Sequence, residues 1–257
     1  FGSILLINEL RYTMTESEII IPCFIPIYKE KLMYSNPLVP WHEIETVLLD
    51  MDGTLLDLHF DSYFWLELIP QKIAAQKGQS VSEAKAFMDA ELTRVAGTLQ
   101  WYCLDYWQAL LGLDIMSAKR EIQHLIQMRP DTIPFLDALR DSGKDVILVT
   151  NAHRGGLSLK VELTALDQHI TRLISTHDYG VTKESQALWQ ALHQDVDFNP
   201  QTTLFVDDSI PILHAAKTYG IKHLLCVENP DSKKPNRGVT EFPSIIDYRN
   251  EIPFIIK

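Results

Sequence analysis

The 257-residue sequence contains few cysteines, no long apolar run and no run of basic residues. Its three cysteines, Cys23, Cys103 and Cys226, are far apart and form no CxxC pair. The sequence therefore predicts neither a disulfide framework nor a structural zinc site, and this cysteine usage favours a reducing cytoplasm. No apolar stretch approaches the roughly 20 residues that a membrane-spanning helix requires, so we expect no membrane partner.

The charge balance is acidic, with 23 basic and 34 acidic residues and a formal net charge of −11. Proteins that bind nucleic acid concentrate basic residues against the phosphates, so this balance argues against a nucleic-acid partner. An acidic protein that acts on an anionic substrate must gather positive charge locally, through a metal ion, a lysine or helix N-termini. The sequence carries no signal for a particular oligomeric state.

Residues 1–32 differ in character from the rest of the chain. The chain begins with Phe1, and the apolar segment 19–28 is interrupted by two prolines. A signal peptide needs a basic start, an uninterrupted apolar segment and a small-residue cleavage site, and none of these is clear. We interpret residues 1–32 as an extension outside the core, with an edge strand or a docking arm as the alternative.

Four short apolar runs predict the strands of an α/β fold. They occupy residues 46–50 (TVLLD), 144–150 (KDVILVT), 202–206 (TTLFV) and 223–227 (HLLCV). Near-continuous runs of this kind are expected for parallel strands covered on both faces. Helical patterns at 134–142, 184–194 and 210–219 alternate with them, which predicts a doubly wound, Rossmann-like parallel sheet.

Residues 60–130 contain no comparable strand pattern and predict helices throughout. The expected organisation is therefore a core formed by residues 41–59 and 131–257, with an inserted α-helical cap at 60–130. Such a cap lies above the carboxyl edge of the sheet, where ligands bind in open α/β folds. The aromatic residues of the cap either stack on a substrate ring or form the cap's own core; they are Phe60, Tyr63, Phe64, Trp65, Trp101, Tyr102, Tyr106 and Trp107.

Asp50 ends the first apolar run, and Asp52 follows it two residues later in the segment DMDGT. A carboxylate at Asp50 can attack phosphorus and form an acyl phosphate, while Asp52 can protonate the leaving alcohol and then deprotonate water. Gly53 permits a tight turn, and the Thr54 hydroxyl and nearby amides can bind phosphate oxygens. A strand end with two solvated acids is the alternative, because Asp and Gly are common in turns.

Three further polar side chains lie near predicted strand ends or turns. Thr150 and Asn151 end the second run, where a hydroxyl and an amide can bind a phosphoryl group without adding charge, or can cap the next helix. Lys183, in GVTKES, can neutralise both a phosphate and the nucleophilic carboxylate, although most lysines are solvated surface charges.

Asp207 and Asp208 follow the third apolar run. Adjacent carboxylates repel each other, and burying the pair is costly unless a cation or a proton lies between them. Hard oxygen ligands of this kind suit Mg²⁺. One of the two acids can alternatively cap the helix that begins at Ile210, but that role does not account for both.

The segments DMDGT, LVTN, TKE and FVDDS resemble, in this order, the four signature motifs of the haloacid dehalogenase-like hydrolases. The helical insertion looks like the α-helical cap of that superfamily. Longer segments, including VLLDMDGTLLDLHFDSYFW, LQWYCLDYW and VENPDSKKP, are similar to those of bacterial GMP/IMP nucleotidases. The resemblance runs from about Trp41 to the C-terminus.

The resemblance implies a role for each matched residue. Asp50 is implied as nucleophile and Mg²⁺ ligand, and Asp52 as acid/base whose backbone carbonyl also binds the metal. Thr150 and Lys183 are implied to hold phosphate, and the pair Asp207 and Asp208 to complete the metal site. Many members carry another acid four or five residues after this pair, where this sequence has an isoleucine and a leucine, Ile212 and Leu213.

The implied activity is Mg²⁺-dependent hydrolysis of a phosphomonoester through an aspartyl-phosphate, with a purine nucleoside 5′-monophosphate (GMP or IMP) as the small-molecule substrate. A sugar-phosphate or phosphoglycolate phosphatase is the main alternative, because it shares the catalytic groups, as does a phosphomutase. A dehalogenase needs neither Asp52 nor a metal site. A catalytically silent binding protein gains nothing from clustered acids that are costly to bury.

Overall fold

The computed structural model describes residues 36–256, so the interpretation of residues 1–32 lies outside the described residues. Within the described range, six strands form one parallel sheet in the order β3-β2-β1-β4-β5-β6. They are β1 (Thr46–Leu49), β2 (Asp145–Thr150), β3 (Arg172–Ser175), β4 (Thr203–Asp207), β5 (His223–Val227) and β6 (Ser244–Ile245). The chain winds from β1 to one side and then to the other, which confirms the predicted doubly wound Rossmann-like fold.

The central strands are buried on both faces. Val47 and Leu49 of β1 pack into one apolar cluster, whereas Leu48 packs into a second cluster on the opposite face. Leu204 and Phe205 of β4 divide in the same way. Successive side chains of a strand point to opposite faces, so a strand covered on both sides must be apolar at every position.

Helices cover both faces of this sheet and form the insertion after β1. In chain order they are α1 (His59–Tyr63), a π-helical turn (Phe64–Leu68), α2 (Ile69–Lys77), α3 (Val81–Val95), α4 (Leu99–Tyr102), α5 (Leu104–Leu111), α6 (Ile115–Glu121), α7 (Thr132–Asp141), α8 (Arg154–Thr164), α9 (Gln186–Asp195), α10 (Ile210–Tyr219) and α11 (Ile252–Ile255). Helices α7 and α11 pack on the face of Val47, and α9 and α10 pack on the face of Leu48. None of the helices in residues 36–256 is long and apolar enough to cross a membrane.

The inserted segment is helical, and it has its own apolar core. Phe64, Trp107 and Ile115 are fully buried in this cluster, which Leu159 of α8 joins from the core. Helix α3 begins with a capping box in which the Ser80 and Glu83 side chains each accept the other's backbone N–H, at 3.2 and 2.9 Å. Helix α1 begins at His59, one residue before the segment predicted as the cap.

The sequence did not indicate the outer strands β3 and β6. They are short, with four and two residues, and each pairs with a single neighbour. An edge strand has less covered surface, so its residues need not form a continuous apolar run; Arg172, for example, is exposed. Four predicted boundaries also move by one residue, because β1 ends before Asp50, β2 begins at Asp145, and β4 begins at Thr203 and includes Asp207.

A buried arginine attaches the C-terminal segment to the loop after β1. Arg129 donates to the backbone carbonyl of Ile246 at 2.7 Å and lies 3.4 Å from the buried carboxylate of Asp131. Asp131 in turn accepts the backbone N–H of Tyr248 at 2.7 Å, and the Tyr248 hydroxyl donates to the Thr54 carbonyl at 3.1 Å. These hydrogen bonds hold the loop that follows β1 against the C-terminal segment.

We expect Arg129→Met to lower the free energy of unfolding by roughly 3–5 kcal/mol, because it leaves the Asp131 carboxylate buried without its cation. Urea unfolding measures this change. Arg140→Met is the matched control, since Arg140 pairs with Asp137 and Asp141 at the surface and its loss should change little. Equal effects of the two substitutions would contradict the expectation.

Candidate active site

The predicted site residues meet at the carboxyl edge of the sheet. Strand β1 lies between β2 and β4, where the winding of the chain reverses. Asp50 directly follows β1, Thr150 ends β2 and Asp207 ends β4. The parallel register brings the three strand ends together, at the kind of switch point where open α/β sheets bind ligands.

Three carboxylates and one lysine form a cluster at this edge, in which Asp50, Asp207 and Lys183 are buried and Asp208 is half-buried. Carboxylate oxygens of Asp50, Asp207 and Asp208 all lie within 4.8 Å of one another. The Lys183 ammonium donates to Asp50 Oδ1 at 2.5 Å and to Asp207 Oδ2 at 2.7 Å, and Lys183 is only 1% exposed. The lysine therefore bridges the acid after β1 and the acid that ends β4.

The charges of this cluster shift its proton affinities. Burial raises the pKa of Asp50 to about 6, against the opposing effect of Lys183. Burial, followed by the charges of Asp207 and Asp50, raises the pKa of Asp208 well above its usual value. Burial alone would lower the pKa of Lys183, but the two carboxylates that it contacts outweigh burial and raise it. The cluster thus favours additional positive charge.

The donor set fits Mg²⁺, because it consists of carboxylate oxygens in excess over the nearby cations. Within residues 36–256, the ion pair of Asp208 is a long one with Arg237, at 3.9 Å and with the arginine side chain 36% exposed. The predicted ligands Asp50, Asp207 and Asp208 are therefore brought together. The Asp52 carboxylate contacts Lys160 instead, and the role of its backbone carbonyl stays a prediction.

Gly53 allows the loop after β1 to approach Asp208 closely. Its φ is +82°, and a Cβ built on it would lie 2.9 Å from both Asp208 Cγ and Pro230 Cβ. Thr54 is fully buried, and its hydroxyl has no hydrogen-bond partner among the described residues. Neither Gly53 nor Thr54 lines the cleft, so their predicted contact with phosphate stays a prediction.

Asn151 holds the segment that carries Lys183. Its Oδ1 accepts bonds from Thr176 Oγ1 and from the backbone N–H of Lys183, both at 2.9 Å, and its Nδ2 donates to Glu184 Oε2 at 3.1 Å. Thr150, beside it, lines the cleft, and its hydroxyl accepts the backbone N–H of Ala152 at 3.1 Å. The structure therefore gives Asn151 a positioning role that the sequence did not indicate.

A second set of charges, two buried lysines and two half-buried carboxylates, links the core to the cap, and of these residues the sequence had indicated only Asp52. Lys160 of α8 donates to Asp52 Oδ1 and to Asp61 Oδ2, both at 2.6 Å, and Lys119 of α6 donates to Asp61 Oδ1 at 2.9 Å. Both lysines are 3% exposed. Lys160 lies inside a helix and Asp61 in the cap, so neither had the strand-end position that identified the other site residues.

We call this series Asp52–Lys160–Asp61–Lys119 the cap–core charge chain. Burial raises the pKa of Asp52 to about 6, although Lys160 opposes the rise. Burial acts in the same direction on Asp61, but Lys119 and Lys160 together outweigh it and lower the pKa of Asp61 far below its usual value. Asp61 therefore stays ionised between the two lysines.

A cleft of about 380 Å³ lies between the acid cluster and the cap. Three cap aromatics, Trp65, Trp101 and Tyr102, line it, and the Tyr102 hydroxyl donates to Glu184 Oε1 at 2.8 Å across the cap–core boundary. The other predicted aromatics differ: Phe60, Phe64 and Trp107 are buried in the cap core, and Tyr63 and Tyr106 pack against it. A cleft of this volume is typical of a site that binds a small molecule.

Ile212 and Leu213, the positions where the resemblance implied an acid, lie among apolar side chains. Ile212 lines the cleft and packs under the sheet edge, and Leu213 is fully buried in the core. Support for Asp208 comes from elsewhere, because Arg237 donates to its backbone carbonyl at 2.6 Å. Neither position therefore supplies an acid to the cluster around Asp208.

One edge of the doubly wound parallel sheet carries the acids after β1, a lysine and two further acids, and the helical insertion lies above them. This combination defines a hydrolase with a Rossmann-like α/β core and a helical cap. The sequence model of the haloacid dehalogenase-like hydrolases matches residues 44–220. The chain therefore belongs to the haloacid dehalogenase-like hydrolases.

Similar proteins agree with this assignment. The GMP/IMP nucleotidase YrfG of Escherichia coli is 47% identical over 218 residues, covering 85% of this chain and 98% of that protein, and the GMP/IMP nucleotidase YrfG of Shigella flexneri matches equally. These matches confirm the predicted resemblance. A HAD phosphatase from Thermococcus onnurineus shares the fold at 23% identity and a TM-score of 0.69, covering 83% of this chain and 98% of that one.

We expect Gly53→Ala to destabilise the protein more than Gly143→Ala. Both positions have positive φ, +82° and +73°, so an alanine costs about 1–2 kcal/mol in either. Only at Gly53 would the new Cβ overlap Asp208 and Pro230, which adds roughly 1–3 kcal/mol. Urea unfolding of the two variants measures the difference, and equal losses would show that the close approach at Gly53 is unimportant.

Proposed function

We propose that this hydrolase cleaves a purine nucleoside 5′-monophosphate, GMP or IMP, in a Mg²⁺-dependent reaction through an aspartyl-phosphate. The observation that carries the proposal is the buried cluster in which Lys183 bridges Asp50 and Asp207 beside Asp208. The 47% identity to the GMP/IMP nucleotidase YrfG supports the substrate class.

In the first step, Asp50 attacks phosphorus while Lys183 fixes the carboxylate and neutralises phosphate charge. The Thr150 hydroxyl at the end of β2 lies in the cleft wall, where it can donate to a phosphate oxygen. Mg²⁺ bound by Asp50, Asp207 and Asp208 would supply the remaining neutralisation of the phosphate oxygens.

Asp52 acts as the general acid in the first step and as the general base in the second. It gives a proton to the leaving 5′ oxygen of the nucleoside and then takes one from the water that hydrolyses the aspartyl-phosphate. Its carboxylate is oriented by Lys160, and Lys160 is held by Asp61 of the cap. The position of the catalytic acid therefore depends on the cap as well as on the loop after β1.

The cap supplies the walls against which a purine would lie. Trp65, Trp101 and Tyr102 line the cleft opposite the acid cluster, and aromatic rings stack on flat heterocycles. The Tyr102–Glu184 bond keeps this wall beside Lys183. A cytoplasmic location is part of the proposal and rests on the cysteine usage of the sequence.

We expect Mg²⁺-dependent release of phosphate from GMP and IMP, with much slower release from AMP, UMP, phosphoglycolate and sugar phosphates. Chelation with EDTA should abolish turnover, because the buried acids then lack their cation. The measurement is phosphate release from this panel with Mg²⁺ and with EDTA. Preference for a sugar phosphate would overturn the substrate class and leave the chemistry intact.

Asp50→Asn is the control for this assay, because it removes the nucleophile and keeps the size of the side chain. It should lose turnover on every compound while its thermal unfolding stays close to that of the unchanged protein. Substantial steady-state activity in this variant would rule out Asp50 as the nucleophile.

We expect Lys160→Met to lower kcat by roughly 100-fold, since the Asp52 carboxylate loses the group that orients it. Lys119→Met is the matched control: it removes the same charge and also contacts Asp61, but does not contact Asp52. Its effect on kcat should be much smaller, with KM little changed in both variants. Equal losses of kcat would indicate that the charge chain acts only through stability.

A further inference from the structure

Three side chains with nitrogen and sulfur ligand atoms meet beside the cleft, where the cap contacts the core. Cys103 precedes α5 in the cap, His153 precedes α8 and His177 follows β3. One ligand atom from each lies within 4.8 Å of the other two. The residues come from distant segments, so their spacing in the sequence gave no indication of a site.

The His177 ring is arranged like a metal ligand. Its Nε2 is buried without a hydrogen-bond partner among the described residues, and the ring lies beside the backbone of Asn151. Histidines that bind metal usually donate their other N–H to a carbonyl or carboxylate, which fixes the ring and the tautomer. Burial, followed by the neighbouring His153, lowers the pKa of His177 and so favours the neutral ring that binds metal.

The two imidazoles have the separation that a shared ion requires. Their ring centroids lie 5.0 Å apart with the planes at 83°. Two imidazoles on one tetrahedral zinc ion have centroids about 5.2 Å apart, given Zn–N bonds of about 2.0–2.1 Å. His153 Nδ1 accepts the Gly155 backbone N–H at 3.2 Å, whereas its Nε2 lies 3.6 Å from Asp105 Oδ2, beyond hydrogen-bond distance, so an ion can bind at Nε2.

Cys103 supplies the sulfur atom. Its thiol is free and half-buried. A tetrahedral site places nitrogen and sulfur ligands about 3.4–3.6 Å apart, so the present separations need to close by at most about 1.4 Å. The thiol loses its proton when it binds the ion, and that proton passes to solvent. The exposed Asp105 carboxylate, next to His153, can occupy the fourth position.

We propose that Cys103, His153 and His177 bind a Zn²⁺ ion that fastens the cap to the core. One thiolate with two imidazoles is a donor set that zinc prefers and that magnesium does not. The site is separate from the oxygen-only cluster of Asp50, Asp207 and Asp208. Because one ligand lies in the cap and two in the core, the ion would restrict opening of the cleft.

Co²⁺ is the probe that tests the site, since it replaces zinc and absorbs light when bound to a thiolate. With Mg²⁺ in excess, the unchanged protein should develop a thiolate-to-cobalt charge-transfer band that saturates at one equivalent and disappears on addition of Zn²⁺. Cys103→Ser should lose the band, and His177→Gln should weaken cobalt binding at least about 10-fold. Carboxylates alone give no such band, so the Mg²⁺ site cannot produce it.

Cys226→Ala is the matched control, because it removes a buried thiol that lies outside the cluster and should leave the band unchanged. Absence of the band in the unchanged protein, or its survival in Cys103→Ser, would overturn the site. Circular dichroism checks that each variant is folded.

Amide hydrogen exchange tests the attachment of the cap independently of enzymatic activity. Zn²⁺ should slow exchange in residues 99–111 of the unchanged protein and leave exchange in Cys103→Ser unaffected. The same response in both proteins would show that zinc does not fasten the cap through Cys103.

Discussion

The burial of two carboxylates, Asp50 and Asp207, against a single lysine is the constraint on which the rest of the site depends. Lys183 contacts Asp50 and Asp207 at once, and it can do so because β1 and β4 are adjacent parallel strands. Asn151, at the end of β2, holds the Lys183 backbone in place. Burying such charges costs free energy unless each has partners, so the loops around the cluster must hold these side chains in one arrangement.

The cap–core charge chain extends the same principle beyond the sheet. It contains two anions and two cations, with Asp52 and Lys160 from the core and Asp61 and Lys119 from the cap. Asp52 pairs with Lys160 within the core and Asp61 pairs with Lys119 within the cap, and the Lys160–Asp61 contact joins the two pairs across the boundary. Asp61 of the cap is therefore linked to the Asp52 carboxylate through Lys160, and the cap also covers the cleft with aromatic side chains.

The inserted helices serve two separate purposes. Some aromatics, such as Phe64 and Trp107, form the apolar core that lets the insertion fold, whereas Trp65 and Trp101 face the cleft. Helical spacing does not separate these groups, because neighbouring turns of one helix face different surroundings. The same boundary also brings Cys103 of the cap to His153 and His177 of the core.

Local sequence patterns were enough to predict the doubly wound sheet, the helical insertion and the residues at strand ends, including Asp50, Thr150 and Asp207. These features follow from local patterns, since a buried parallel strand must be apolar throughout and its polar end lies at the carboxyl edge. Tertiary structure alone decided the edge strands and the partners of Lys160 and Asp61. Such partners depend on which helix faces are brought together by packing, and no local pattern encodes that choice.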